Sequence, residues 1–461
     1  MYETDLSKPV RVHFIGIGGI SMSGLARILL NRGFKVSGSD AVPSELTEEL
    51  SSAGAEIHIG QSAGNITADI ELVVYSAAIK PGNPEYDETV RRGIPMITRA
   101  TLLGQIMKAY ELPLAVAGTH GKTTTTSMIS EILLAAGSDP TLSIGGILPS
   151  IGSNLRIGHS GFFVTEACEY TNSFLEFFPK AEVILNIEED HLDFFKDIND
   201  IRASFRRFAE LVPEDGTIII NKTIDDLENF TAGLKCRIVT FGPDSTADYY
   251  CSDIGYDEKG RTSYILHHGD ETVPVSLSLV GEHNVYDSLA AFAAGELFGM
   301  SREHILSGLS SFGGTERRFE LKGKLGTGDP ITIIDDYAHH PTEIKATLSA
   351  AAHYPHKKLY LIFQPHTYTR TKAFMNEFAE ALSSADCVIL ADIYAARETD
   401  SLGISSGDLQ KLVAAKGCEA HYFRYFGDIV DFILLNAQPG DLVLTMGAGD
   451  IYRVGDMLLG R

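Results

Sequence analysis

At 461 residues the chain exceeds what one hydrophobic core ordinarily organises, so two or three domains are expected. Hydrophobic residues at 44% and charged residues at 21% give the balance of a soluble globular enzyme. A formal charge of −23 argues against nucleic acid or an anionic membrane as partner, and requires any anionic substrate to be held by local cations and backbone N–H groups.

The first segment opens with an apolar strand over Val10–Ile15 that breaks into Gly16, Gly18 and Gly19, followed by a helix over Ser23–Asn31. A second strand, Phe34–Ser39, ends at Asp40, and a further strand, Leu72–Tyr75, ends at Ser76. Strands alternating with helices at this spacing imply a parallel, doubly wound sheet with ligands at the carboxyl ends of its strands. The turn Gly16-Ile17-Gly18-Gly19-Ile20-Ser21 has the form G-x-G-x-x-G with serine at the third glycine. Asp40 stands where a dinucleotide enzyme places its ribose-binding acid. From these residues an NAD site, another nucleotide-diphosphate site and a structural turn are equally supported.

The second segment opens with a strand at Leu114–Ala117, a glycine loop, and a helix over Thr123–Ala136. Gly118-Thr119-His120-Gly121-Lys122-Thr123, continued by Thr124, thus has the strand–loop–helix context of a phosphate loop. Its N–H groups would converge on phosphate oxygens, Lys122 would reach the β and γ phosphates of ATP, and the Thr123 hydroxyl would ligate Mg²⁺. The general pattern G-x-x-x-x-G-K-[ST] wants glycine where Val116 stands, so a chance turn with a solvated lysine is the alternative. Strands at Phe162–Thr165, Val183–Asn186 and Thr217–Asn221 bring Glu166, Asn186 and His191 to their ends. Glu166 and His191 are candidate ligands for Mg²⁺ or Mn²⁺. The surrounding Glu188, Glu189, Asp190 and Asp193 read more simply as a solvated acidic face. Gly281-Glu282-His283-Asn284 precedes an alanine-rich helix over Ser288–Leu297; Asn284 suits an adenine edge or a helix cap.

The third segment begins near Arg318 and has strands at Ile331–Ile334, Leu359–Phe363, Val388–Ala391 and Leu442–Thr445. Arg317 and Arg318 stand at the junction, suited to clamping phosphate or to surface ion pairs. Polar residues follow each strand: Asp335, Asp336, Tyr337, His339 and His340 after the first, Gln364 to Arg370 after the second, Asp392, Arg397 and Glu398 after the third. Arg370 has the planar fork to take a carboxylate, whereas the histidine pair before Pro341 orients an amino acid or caps a helix. So many polar strand ends in one sheet point to a site. The five cysteines are scattered without C-x-x-C spacing, which fits a reduced compartment. No apolar run approaches the ~18 residues of a membrane span, and MYETDLSKPV lacks a signal-peptide layout, so a cytoplasmic location is expected.

Taken in order, GIGGISMSGLA, YSAAI, AGTHGKTTTT, EACEY, NIEEDHLD, GEHN, ERRFE, DDYAHHPTE, FQPHTYTRT and TMGAGDI make the chain resemble the Mur ligase family over essentially its whole length. A short G-x-x-G-K-T loop is the form that family uses, which accounts for Val116. The resemblance implies an α/β protein of three domains. Residues 1–107 would form an N-terminal Rossmann-like domain for a UDP sugar, 108–317 a central P-loop ATPase-like parallel sheet, and 318–461 a C-terminal Rossmann-like domain that receives the amino acid. The implied activity is ATP-dependent ligation of L-alanine to the lactyl carboxylate of UDP-N-acetylmuramate through an acyl phosphate, releasing ADP and phosphate, in peptidoglycan precursor synthesis.

By the same resemblance, Gly16, Gly18, Gly19 and Ser76 hold the UDP sugar, and residues 118–124 hold ATP. Thr123, Glu166 and His191 are metal ligands, Asn284 contacts adenine, Asp336 the ribose, and Arg318 faces phosphate. Tyr337, His339, His340 and Arg370 match the region for L-alanine and the muramoyl carboxylate. Related ligases carry a carbamylated lysine where this chain reads IRASFRRFAE (Ile201–Glu210) without lysine, so none is expected. A monomer or weak homodimer is expected. An NAD-dependent dehydrogenase would leave the phosphate loop unexplained, and a nonenzymatic ATP-binding regulator would leave the metal and arginine residues idle. A relative that attaches a recycled peptide to the same UDP sugar is the nearest alternative, against which QPHTYTR favours a single amino acid by resemblance.

Overall fold

The computed structural model describes every residue except 1, 2, 4, 77 and 397. Ala77 of YSAAI and the Arg397 position after Asp392 therefore lie outside the described residues. The N-terminal sheet has five parallel strands in the order Glu56–Ile59, Lys35–Asp40, Arg11–Ile15, Leu72–Tyr75 and Met96–Thr98. Arg11–Ile15 is buried beyond its first residue, as a central parallel strand covered on both faces must be. The chain order reverses beside it, which opens a crevice at its carboxyl end. The following helix begins at Ile20, ahead of the expected Ser23, so the glycine turn runs straight into the helix N-terminus with Gly19 as its cap.

The central sheet has ten strands. Its parallel part runs Arg237–Gly242, Thr217–Asn221, Ala181–Ile184, Leu112–Ala117, Phe162–Ala167 and Thr141–Leu148. Antiparallel pairs occupy both edges: Ser153–Arg156 on one, and the meander Tyr249–Tyr256, Arg261–His268, Glu271–Val280 on the other. These edges depart from the purely parallel sheet expected. Their signal is a period of two, with Thr262, Tyr264 and Leu266 buried between outward neighbours, which is the pattern of a sheet covered on one face.

The C-terminal sheet has six strands in the order Glu320–Leu325, Ile331–Asp336, Leu442–Met446, Leu359–Phe363, Cys387–Leu390 and Glu419–Tyr422, the first antiparallel and the rest parallel. One apolar cluster runs from Phe14 and Leu103 of the N-terminal layer into Phe163, Phe174 and Phe208 of the central one. Two separate clusters fill the C-terminal sheet, around Phe363 and around Ile362. Among the described residues, the C-terminal unit therefore meets the central one without a shared core.

Candidate active site

Strand Leu112–Ala117 lies between Ala181–Ile184 and Phe162–Ala167, so its carboxyl end delivers the loop 118–121 to the middle of the sheet. Gly121 has φ +83, and a Cβ there would stand 2.6 Å from Asp287 Oδ1, so both backbone and space require glycine. Helix Lys122–Ala135 follows without a side-chain cap, leaving its first N–H groups available to an anion. Asn186 braces the loop: its Oδ1 accepts from His120 N at 2.8 Å and its Nδ2 donates to His120 O at 3.1 Å. Lys122 Nζ donates to Gly118 O, to Thr119 O at 3.0 Å and to Glu169 Oε2 at 3.3 Å. Burial works against its charge, but Glu169 foremost among nearby acids holds its pKa above the ordinary value.

Glu166 sits near the end of its strand in register with Val116 and accepts hydrogen bonds from Gly145 N and the Thr123 hydroxyl. Burial pushes its pKa up. His191 has φ +52, packs on the Tyr170 ring at 4.6 Å between centroids, and places Nε2 3.8 Å from Glu169 Oε1. Burial lowers its pKa, which favours the neutral ring that a metal needs. Thr123 thus meets Glu166, while Lys122 and His191 meet Glu169. Nothing in the sequence reading singled out Glu169. Its Oε1 is buried with no hydrogen-bond partner, an orphaned acceptor between a lysine and an imidazole. Hydroxyl and carboxylate oxygens with one imidazole fit Mg²⁺ or Mn²⁺. Two sets of three potential ligands lie within 4.8 Å among the described residues, His120–Glu188–His340 and Cys387–Glu419–His421, and neither contains Glu166 or His191. The protein donors here are more open than a closed cage, as suits an ion that keeps phosphate and water ligands.

A cavity of about 330 Å³ opens over the loop, lined by His120, Thr124, Asn284, Asp287, Arg318 and Asp336 among others. Asn284 lies in the first turn of helix His283–Leu297, whose N-cap is Glu282, so it is not the cap residue; its Nδ2 donates to Val280 O at 2.8 Å. Asp336 accepts from Phe319 N at 2.8 Å and Ala338 N at 2.7 Å, and burial raises its pKa to about 6. The two junction arginines part company. Arg317, at φ +61, pairs with Asp335 at 3.0 Å and packs against the rings of Tyr337 and Tyr452, whereas Arg318 faces the cavity.

A second cavity of about 310 Å³ is lined by His191 and Asp190 from the central sheet and by His366, Arg370, Ala373 and Phe374 from the C-terminal one. Arg370 Nε and Nη2 donate to Asp190 Oδ1 at 3.1 and 2.8 Å, both side chains about nine-tenths buried. The Arg370 guanidinium, the largest influence after burial, holds the Asp190 carboxyl well below the usual range. Burial lowers the His366 pKa to about 3, so its neutral Nδ1 accepts from Arg370 Nη1 at 3.2 Å. The acidic run is therefore not a uniformly solvated face: Asp190 and Glu188 are drawn into contacts with the C-terminal unit, while Glu189 and Asp193 are exposed. Tyr337, His339 and His340 line neither cavity. His339 Nδ1 bonds Tyr337 O at 3.1 Å, and His340 is the N-cap of helix Pro341–His353.

At the N-terminal sheet, Gly16 has φ +83 with Ser76 beside it, and Gly18 N donates to Asp40 Oδ2 at 2.8 Å. Asp40 thereby braces the turn through one carboxylate oxygen, while the other accepts from Ala41 N at 2.8 Å. Arg99, also absent from the sequence reading, donates from Nη1 to Ser21 Oγ at 3.0 Å, and burial lowers its pKa. No motif surrounds it; its position beside the glycine-turn helix shows only in three dimensions.

A phosphate-loop sheet set between two doubly wound sheets, with one cavity lined by His120, Gly121 and Thr124 of the loop and a second lined by His191, which shares Glu169 with Lys122, is the setting of a nucleotide-dependent enzyme. Family models match in sequence along the chain: "Mur ligase family, catalytic domain" at 11–111, "Mur ligase middle domain" at 116–295, and "Mur ligase, glutamate ligase domain" at 317–449. The chain belongs to the Mur ligase family. It is 59% identical to the UDP-N-acetylmuramate–L-alanine ligase of Lachnospira eligens over 461 residues, 100% of both chains. The crystal structure of the UDP-N-acetylmuramate–alanine ligase MurC from Thermotoga maritima superposes with a TM-score of 0.81 at 28% identity, covering 98% of each chain. A murein peptide ligase from Psychrobacter arcticus gives 0.70 at 27% identity, with 98% of each chain covered.

Proposed function

We propose that this chain is an ATP-dependent ligase that joins L-alanine to the lactyl carboxylate of UDP-N-acetylmuramate, in peptidoglycan precursor synthesis. The observation that carries the reading is the setting of Lys122: its neighbours Gly121 and Thr124 line the cavity that holds Asn284, Arg318 and Asp336, and it shares Glu169 with His191, which lines the cavity that holds Arg370. We assign ATP to the first cavity and the reacting carboxylate and amino acid to the second. The glycine turn with Ser76 and Arg99 takes the UDP diphosphate. Domain limits near 108 and 318 follow from these roles, with 1–107 for the UDP sugar, 108–317 for ATP and 318–461 for the amino acid.

A carboxylate resists attack by an amine because its oxide is a poor leaving group. One lactyl oxygen attacks the γ phosphorus, the bond to the β-phosphate oxygen breaks, and ADP leaves with that electron pair. Lys122, the loop N–H groups and Arg318 stabilise charge on the transferring oxygens, so the work is positioning and electrostatics. Thr123, Glu166 and His191, joined by Glu169, would hold Mg²⁺, which supplies charge neutralisation at the phosphates. The neutral amine of L-alanine then attacks the acyl carbon, the C–O bond to phosphate breaks, and inorganic phosphate departs as the nitrogen gives up one proton. The Ala373 and Phe374 walls of the second cavity offer an apolar seat for a methyl side chain.

Lys122→Ala tests the assignment. ADP release that depends on UDP-N-acetylmuramate should fall by about 100-fold or more, the order seen when one transition-state donor is lost. Turnover near that of the wild type would remove the phosphate loop from the mechanism.

A further inference from the structure

Glu343 takes no part in the chemistry above, yet charged groups from three segments converge on it. Its Oε1 stands 3.2 Å from His120 Nδ1 of the phosphate loop and 4.0 Å from Arg318 Nη1 of the junction. Its Oε2 accepts from His339 N at 3.0 Å and His340 N at 3.3 Å, and lies 3.2 Å from His339 Nδ1. The carboxylate is nearly buried, at 12% side-chain exposure. Burial opposes its charge, but His339 and His120 outweigh that and hold its pKa well below the usual range.

A second strut runs alongside. His120 Nε2 lies 3.5 Å from Glu188 Oε2, and the same oxygen accepts from Thr342 Oγ1 at 2.7 Å. His120 is itself buried, and burial alone would discharge it; Glu343 and Glu188 raise its pKa to about 9. The imidazolium contacts are ion pairs without aligned hydrogen bonds. One phosphate-loop cation is therefore held by a carboxylate from each side of the cleft. No apolar cluster crosses that cleft among the described residues, so polar ties of this kind help to position the C-terminal unit, beside the Tyr256–His353 ring stack.

We propose that Glu343 is a positioning residue that ties the phosphate loop to the C-terminal sheet, so that the acyl phosphate meets the amine before water reaches it. The inference rests on the ligase reading. If the tie is lost, water takes the place of the amine: its oxygen attacks the acyl carbon, the C–O bond breaks, and phosphate, a proton and the original carboxylate are released. ATP is then consumed without an amide.

The test counts inorganic phosphate and amide product in the same reaction with ATP, UDP-N-acetylmuramate and L-alanine. The wild type should give one phosphate per amide. Glu343→Gln should give a ratio clearly above one and raise the KM for L-alanine about tenfold, the scale of one lost charge coupling. The KM for UDP-N-acetylmuramate should not change. His120→Gln should behave alike, and the double variant should be no worse than the poorer single one. A ratio of one in Glu343→Gln overturns the proposal, even if kcat and thermal stability both fall, since that pattern marks a merely structural role. A wild type that forms no amide would remove the ligase reading itself, whereas a tightly coupled wild type with a tightly coupled variant removes only the role given to Glu343.

Discussion

A carboxyl group buried without partners keeps its proton because ionising it would leave a charge in an apolar setting. Glu182 is in that state: it lies inside strand Ala181–Ile184, both its oxygens are buried with no hydrogen-bond partner, and burial raises its pKa well above 4.5. The unfolded chain releases the proton near the ordinary value, so the folded state binds more protons above it. Stability linked to Glu182 is therefore complete below that value and is lost as pH rises towards the folded pKa. Glu182→Gln removes the titration and keeps the shape. The two proteins should melt alike near pH 4.5, and at pH 8 the variant should be the more stable by about 1–3 kcal/mol, the usual scale for a poorly satisfied buried polar group. Thermal melts from about pH 4.5 to 8 decide it. A gap between the two proteins that does not change with pH would sink the idea. Glu169 is also buried, but with Lys122 and His191 beside it, so the same residue type there has polar partners within the candidate site.

Between elements, the closest approach that no side chain can enter lies between helix Arg99–Met107 and the turn Tyr170–Glu176. A Cβ on Gly104 would stand 1.9 Å from Glu176 O, and Thr101 Oγ1 donates to Glu176 Oε2 at 3.2 Å across the same contact. Gly104→Ala must push the helix away and should cost about 1–3 kcal/mol. Because the same helix carries Arg99 to Ser21, the KM for UDP-N-acetylmuramate should rise while that for ATP holds; an unchanged melting temperature would contradict the packing. Gly104 illustrates what the sequence does not disclose. Strand–loop–helix units such as Leu112–Ala117 into Lys122–Ala135 were legible because the signal is local: an apolar run, glycines, then helix formers. The edge hairpins after Tyr249 carry only one tight-turn signal, Gly269-Asp270 between the paired His268 and Glu271, and otherwise show in alternation alone. The functional reading came from the order of many motifs, since no one pattern distinguishes a diphosphate turn from an NAD turn. Glu169, Arg99 and the Asp190–Arg370 pair stayed hidden for a different reason. Their roles depend on partners far away in the chain, and an acidic run looks solvated until a second domain closes on it.

For the whole molecule, the contrast between its two internal boundaries sets how it can move. The N-terminal and central sheets share one apolar cluster, so separating them would expose large hydrophobic surface. The C-terminal sheet keeps its own clusters and meets the central one through polar contacts and the Tyr256–His353 ring stack rather than through a shared core. Motion should therefore occur at the second boundary, where the two cavities lie, with the first behaving as one body. The Asp190–Arg370 pair is a buried tie across that boundary. Removing one partner of a buried pair ordinarily costs about 3–5 kcal/mol, because the other charge is left unpaired in a dry setting. Here a cheaper escape exists: the C-terminal unit can swing out and hydrate Arg370. Asp190→Ala should thus shift the population towards an open form, giving a radius of gyration by small-angle scattering larger than that of the wild type. ATP with UDP-N-acetylmuramate should draw it part of the way back, because on the proposed reading the loop N–H groups and Arg318 would hold the phosphates from both sides of the cleft. The opposite pattern, an unchanged radius with a sharp fall in melting temperature, would mean that Arg370 stays buried and that the boundary is rigid.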